Sequence, residues 1–190
     1  ARRHGPVVSV TATAGEACLD HVGVHIPGLA ALRVAEWQAA LKVLGAQPKR
    51  CYGLPDGSLG DHLGDLVSSL YGVIEAADLV LAPWVHDPHP DHVAAGRAAR
   101  QAARQVGSTV VEYPVWATYW LPPDTPARRG YDVLRVATDE HAERARMRAL
   151  AEYRSQLEPL RAGLSAVVPA DMLTHHVAQM IFLAQGGPRY

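Results

Sequence analysis

Lysine is nearly missing from this 190-residue chain: Lys42 and Lys49 stand alone, and the other sixteen of its 18 basic residues are arginine. Basic residues also gather no further than pairs such as Arg2-Arg3 and Arg128-Arg129, and the formal net charge is −1. A nucleic-acid binder usually carries a basic face or stripe, so that class of partner is not expected. Two cysteines, Cys18 and Cys51, cannot build a disulfide framework. They read as buried or incidental thiols, and a cytoplasmic setting is expected. No apolar run reaches the ~18 residues that a spanning helix needs, and no secretory leader pattern opens the chain. There are no internal repeats, no low-complexity tracts and no Gly-x-Gly-x-x-Gly turn, which disfavours a dinucleotide-binding module. What is present is an ordinary globular composition, 48% hydrophobic and 19% charged, of a length that suits a single domain over residues 1–190.

Hydrophobic patterning alternates between short β-branched runs and helical periods. Val7–Thr13 reads as a buried strand, and Leu29–Leu44 as an amphipathic helix stopped by Gly45. Arg50–Leu54 reads as a second strand, leading into the turn Pro55-Asp56-Gly57. A helix is expected over Asp61–Ala77, followed by a strand over Asp78–Pro83. That strand is apolar on both faces and is therefore expected to be central in a parallel sheet. Further on, a helix over Val93–Val106, strands over Thr109–Trp116 and Val133–Ala137, a long helix over Glu140–Leu157 and a last helix over Ala170–Leu183 are expected. Such alternation predicts an α/β fold, a Rossmann-like open sheet, mostly parallel, with helices on both faces. Ligands in such folds sit beyond the carboxyl ends of the strands. The polar segments at Gly15-Glu16, at Pro55-Asp56-Gly57 and at His86–His92 all follow strands and are expected to converge there.

The densest of these segments is His86-Asp87-Pro88-His89-Pro90-Asp91-His92. Its two prolines stiffen the backbone and hold the residue before each extended. Asp91 then opens a helix, where aspartate is a good N-cap. Solvated loop histidines with a capping aspartate would be the plain reading. Placement at the carboxyl end of a buried strand favours a functional one. Imidazole suits zinc, and a catalytic zinc takes three protein ligands plus water. One loop can supply only some of them.

The run His89-Pro90-Asp91-His92-Val93-Ala94-Ala95-Gly96-Arg97-Ala98 resembles the second signature of the PIG-L/LmbE-like zinc deacetylases. Further matches follow in the family's order: Thr13-Ala14-Gly15-Glu16, Arg33-Val34-Ala35-Glu36, Gly53-Leu54-Pro55-Asp56-Gly57 and Tyr153-Arg154-Ser155-Gln156. The resemblance implies a zinc ion with His92 as a ligand, and His89 as an electrophilic or acid group beside the tetrahedral intermediate. Asp91 would hold and polarise a neighbouring histidine, while Glu16, Arg33 and Asp56 would line the site of an N-acetylated sugar or glycoconjugate. Local alternatives stand beside these roles. Arg33 and Glu36 could form a surface pair on a helix, and Asp56 could simply make its turn.

One family feature has no counterpart here. The first signature, His-Pro-Asp-Asp, supplies two more zinc ligands and the general base in the family. This chain has His-Pro only at His89-Pro90 and no Asp-Asp pair. Ala1-Arg2-Arg3-His4-Gly5 reads as a helix end that leads straight into a strand, so the sheet is expected to lack its first strand and helix. Three expectations follow: hydrolysis of an N-acetyl amide on a glucosamine-type sugar, with zinc; as the alternative, an inactive sugar-binding relative; and poor stability or homo-oligomer formation where unpaired strand edges lie bare.

Overall fold

The computed structural model describes residues 5–76, 78–175 and 180–184. In chain order the strands and helices are β1 (Val8–Thr11), α1 (Leu29–Leu44), β2 (Gln47–Cys51), α2 (Leu63–Tyr71), β3 (Leu79–Pro83), α3 (Pro90–Val106) and β4 (Thr109–Tyr113). They continue with α4 (Ala117–Trp120), α5 (Thr125–Arg128), β5 (Tyr131–Arg135), α6 (Glu140–Ala151), α7 (Arg154–Leu157), α8 (Ala170–His175) and β6 (Met180–Ala184). No described helix is long and apolar enough to cross a membrane. The chain divides into two compact units. The first holds residues up to Gly57 together with Thr138–Leu173; the second holds Ser58–Ala137 and residues from Thr174 onward.

In the first unit β1 and β2 pair in parallel, with a register shift between Ser9 and Val10. β2 begins earlier than its sequence suggests and includes Pro48, which an edge strand tolerates because no ladder donor is needed there. α1 occupies the expected residues. Gly28 precedes it at φ 78° and Gly45 ends it at φ 67°, left-handed values that glycine adopts without a Cβ clash. Trp37 of α1 donates from Nε1 to Ser9 Oγ on β1 at 3.2 Å. The helix expected over Glu140–Leu157 breaks into α6 and α7.

The second unit carries a four-stranded sheet in the order β3-β4-β6-β5. β3 and β4 are parallel, but β6 runs antiparallel to both of its neighbours. The sheet is thus mixed rather than mostly parallel. The cause is Met180–Ala184, which forms a strand where a helix was expected. Its apolar run is short and continuous, and pairing with both β4 and β5 decides its conformation. β3 lies at the edge of this sheet rather than centrally, with Leu79 and Leu81 exposed. The aromatic core is made by Trp84, Tyr131 and Phe182 with Ala117. Trp84 meets Phe182 and Tyr131 edge-on at 4.9 and 5.4 Å, the geometry their quadrupoles favour. The region expected as one helix over Asp61–Ala77 is a 3-10 turn at Leu59–His62 continuing into α2.

α3 packs closely because one side of it is small: Ala94, Ala98, Ala99, Ala102 and Ala103 are all buried. Gly96 allows the closest approach. A Cβ there would lie 2.3 Å from the Pro83 carbonyl oxygen at the end of β3. This contact holds the amino end of α3 beside the carboxyl end of β3, and between them runs the polar loop.

Candidate active site

Within the second unit, α3 begins at Pro90, two residues earlier than an Asp91 cap would place it. His89 is the N-cap, and its Nδ1 accepts the Asp91 N–H at 3.2 Å. Proline suits the first helical position because its missing N–H would have found no partner there. Asp91 is buried, and its Oδ1 accepts the Leu59 N–H at 3.1 Å.

The carboxylate in contact with His92 belongs to Asp87. Its Oδ1 lies 2.8 Å from His92 Nδ1 and also accepts the His89 N–H at 3.2 Å. Its Oδ2 accepts three N–H groups from the segment after β4, those of Val115, Trp116 and Ala117, at 3.1, 2.9 and 3.1 Å. Burial would lift the Asp87 carboxyl, but the hydrogen bond from His92, with the backbone N–H donors, holds it below the usual aspartate value. It is therefore an ionised, accept-only group. The sequence shows Asp87 in the polar stretch, but nothing local distinguishes it from Asp91 as the partner of a histidine.

These contacts separate the two imidazoles. An ionised Asp87 requires the proton of His92 on Nδ1, which leaves the Nε2 lone pair free as an acceptor or ligand. His89 receives a backbone N–H at Nδ1, so its own proton sits on Nε2, which is a donor. The rings stack with centroids 4.6 Å apart at 29°. One loop thus presents a donor and a lone pair side by side.

In the first unit the structure brings Glu16, Arg33 and Asp56 together. Asp56 Oδ1 accepts from Thr13 Oγ1 at 3.2 Å and its Oδ2 from the Ala17 N–H at 2.9 Å. The Asp56 N–H donates to Glu16 Oε1 at 3.4 Å, and Glu16 Oε2 is buried without a partner among the described residues. Arg33 donates to the Gly15 carbonyl oxygen, to Cys18 Sγ at 3.2 Å and to Ser155 Oγ at 3.3 Å. Arg33 and Glu36 are buried rather than a surface pair. Both carboxylate oxygens of Glu36 go to Ser155, one to its N–H at 2.7 Å and the other to its hydroxyl at 2.6 Å. Asp56 does more than make its turn: it ties the Thr13–Ala17 loop to the segment after β2.

No group of three His, Cys, Asp or Glu side chains placed to hold a metal occurs among the described residues. His92 Nε2, backed by Asp87, has the form of one zinc ligand, since a ligating histidine commonly gives its other N–H to a carboxylate. One ligand falls short of the three of a catalytic zinc.

Solved structures share the fold. The pseudoaglycone deacetylase of an antimicrobial reagent is 22% identical, with a TM-score of 0.65, over 94% of this chain and 84% of that one. A zinc-inhibited form of teicoplanin deacetylase is 16% identical, with a TM-score of 0.68, over 96% of this chain and 89% of that one. The N,N'-diacetylchitobiose deacetylase from Pyrococcus horikoshii is 16% identical, with a TM-score of 0.55, over 89% of this chain and 62% of that one. At these identities the likeness is one of fold. No curated protein matches the chain. A family model described as PIG-L, GlcNAc-PI de-N-acetylase, matches residues 1–103, more than half of the sequence. The chain therefore belongs to the PIG-L family of amide-hydrolysing N-deacetylases.

Proposed function

We propose that this chain serves zinc-dependent hydrolysis of the N-acetyl amide of a glucosamine-type sugar or glycoconjugate, in the cytoplasm. The observation that carries this reading is the pair of contacts that set the stacked rings apart: His92 Nδ1 meets Asp87 and His89 Nδ1 takes the Asp91 N–H, which leaves a lone pair at His92 Nε2 and a proton at His89 Nε2. His92 is the ligand this chain contributes, and Asp87 keeps it in the ligating tautomer. Zinc held through His92 would supply an acidified water and polarise the acetyl carbonyl. His89 donates from Nε2 to the developing oxyanion or to the departing amine. Asp91 positions His89, through its backbone N–H at Nδ1. Glu16 Oε2, buried with no partner among the described residues, can accept a sugar hydroxyl, and Arg33 and Asp56 hold the loop that presents it.

The test compares His89→Ala with His92→Ala in acetate release from an N-acetylglucosaminide and in zinc per chain by atomic absorption. His89→Ala is expected to lower turnover while leaving zinc content near wild type, and His92→Ala to lower both. Equal metal loss in the two variants would show the roles to be misassigned. A second reading, a sugar-binding relative without turnover, is favoured by the lack of a three-ligand cluster among the described residues. Saturable sugar binding without acetate release would select it.

A further inference from the structure

Away from the histidine pair, one face of α3 is strongly basic. Arg97, Arg100 and Arg104 stand at i, i+3 and i+7, so they share one side of the helix, opposite its buried alanines. With Val85, His86 and Gln101 they line a groove of about 450 Å³.

The charges in this groove are not balanced. Arg100 is matched: its Nη2 lies 2.6 Å from Glu112 Oε2 and also donates to Tyr131 Oη. Arg97 and Arg104 pair with no carboxylate among the described residues. Arg129 brings a further guanidinium, its Nη1 3.4 Å from His86 Nδ1. An arginine can only donate, so His86 accepts at Nδ1 and carries its proton at Nε2. Burial, and then the charges of Arg129, Arg100 and Arg97, lower the His86 pKa and keep the ring neutral. A basic residue in the last turn of a helix is explained by the macrodipole, which accounts for Arg104. It does not account for Arg97 in the middle of α3, nor for His86, which lines the groove and has Arg129 against it.

We propose that this groove binds a phosphorylated ligand, with Arg97 and Arg104 gripping the phosphate and His86 and Gln101 adding neutral donors. A phosphate suits the site better than a single carboxylate because it brings two negative charges to several unmatched guanidinium groups. Planar guanidinium forks also meet phosphate oxygens in pairs. The groove is larger than a lone phosphate, leaving room for the organic part of the ligand. The proposal does not rest on the deacetylase reading, since it uses none of the contacts argued for the His89–His92 pair.

Isothermal titration of the intact chain with pyrophosphate, in about 0.15 M NaCl to screen loose surface attraction, tests it. Saturable binding is expected, weakened about tenfold or more by Arg97→Gln and by Arg104→Gln, with thermal melting unchanged in both. Arg144→Gln, which removes an exposed arginine already paired with Glu140, is the control and is expected to leave binding intact. Absence of saturable binding, or equal affinity in all three variants, would overturn the proposal. Sedimentation with phosphatidylcholine vesicles with and without phosphatidylglycerol separates the sources of the phosphate. Binding to the anionic vesicles that pyrophosphate displaces and Arg97→Gln abolishes identifies a lipid headgroup, and pyrophosphate binding without vesicle binding identifies a soluble phosphate. Vesicle binding indifferent to Arg97→Gln and Arg104→Gln would count against the groove.

Discussion

Replacing Asp87 with asparagine should change the tautomer of His92 while leaving the loop in place. Asp87 receives five contacts: His92 Nδ1 and the His89 N–H at Oδ1, and three backbone N–H groups at Oδ2. Asparagine keeps one oxygen and turns the other into a donor. Three N–H groups outweigh two contacts, so the oxygen will face Val115, Trp116 and Ala117, and the NH2 will face His92. The imidazole can accept from that NH2 only by moving its proton to Nε2, which removes the lone pair. The His89 N–H meanwhile faces another donor. Hydrogen bonds to a charged acceptor contribute about 1.5–3 kcal/mol each and do not add fully, so a loss of ~2–4 kcal/mol in stability is expected for Asp87→Asn. Asp87→Ala, which strands all four N–H groups, should lose ~3–5 kcal/mol. The assays are urea denaturation for stability and long-range 15N–1H correlation of the imidazole for the tautomer. The spectrum should show the His92 proton on Nδ1 in the wild type and on Nε2 in Asp87→Asn. Losing a carboxylate behind a ligating histidine typically costs 10–100-fold in metal affinity, and zinc titration should register a drop of that order. An unchanged His92 tautomer together with unchanged zinc affinity would refute the reasoning.

Glu36→Ala should destabilise the first unit by ~2–4 kcal/mol in urea denaturation, because the buried Ser155 N–H and hydroxyl both lose a charged acceptor. A change within half a kcal/mol would mean that water replaces Glu36 at little cost. Gly96→Ala should lower the melting temperature, although alanine is the better helix former by about 1 kcal/mol. Its Cβ would meet the Pro83 oxygen at 2.3 Å and Val85 Cγ1 at 3.0 Å, and moving backbone in a packed region costs about 1–3 kcal/mol. A higher melting temperature would show that α3 can move away freely.

Local signals carried the parts of the fold that neighbouring residues determine. α1 could be read to the residue because glycine stands at each end of an uninterrupted helical period. The polar loop could be placed after β3 because a short apolar run gives way abruptly to His86-Asp87. β6 was not legible, since Met-Ile-Phe-Leu-Ala suits a buried helix as well as a strand and only its pairing with β4 and β5 decides. The edge position of β3 was hidden for the same reason: apolar faces do not say how many edges are paired. In the site, the histidines stood out by type and spacing. The partner of His92 did not, because Asp87 reaches it through a loop whose curvature depends on N–H donors beyond β4. Burial of Arg33 and Glu36 depends on Ser155, far along the chain, and helical periodicity carries no trace of it.

The two units are interleaved along the chain, and this has a bearing on how the protein is made. The first unit is begun by β1, α1 and β2 and needs α6 and α7, which emerge from the ribosome only after most of the second unit. That second unit in turn waits for Phe182, whose ring completes the core around Trp84 and whose strand joins β4 to β5. The second unit cannot close before Phe182 has been made, so β3, β4, β5 and the aromatics around Trp84 stay partly uncovered until then. Contacts between distant segments slow folding, and surfaces left open meanwhile invite aggregation. Folding of the chain as it is made is therefore expected to respond to translation rate and chaperone supply.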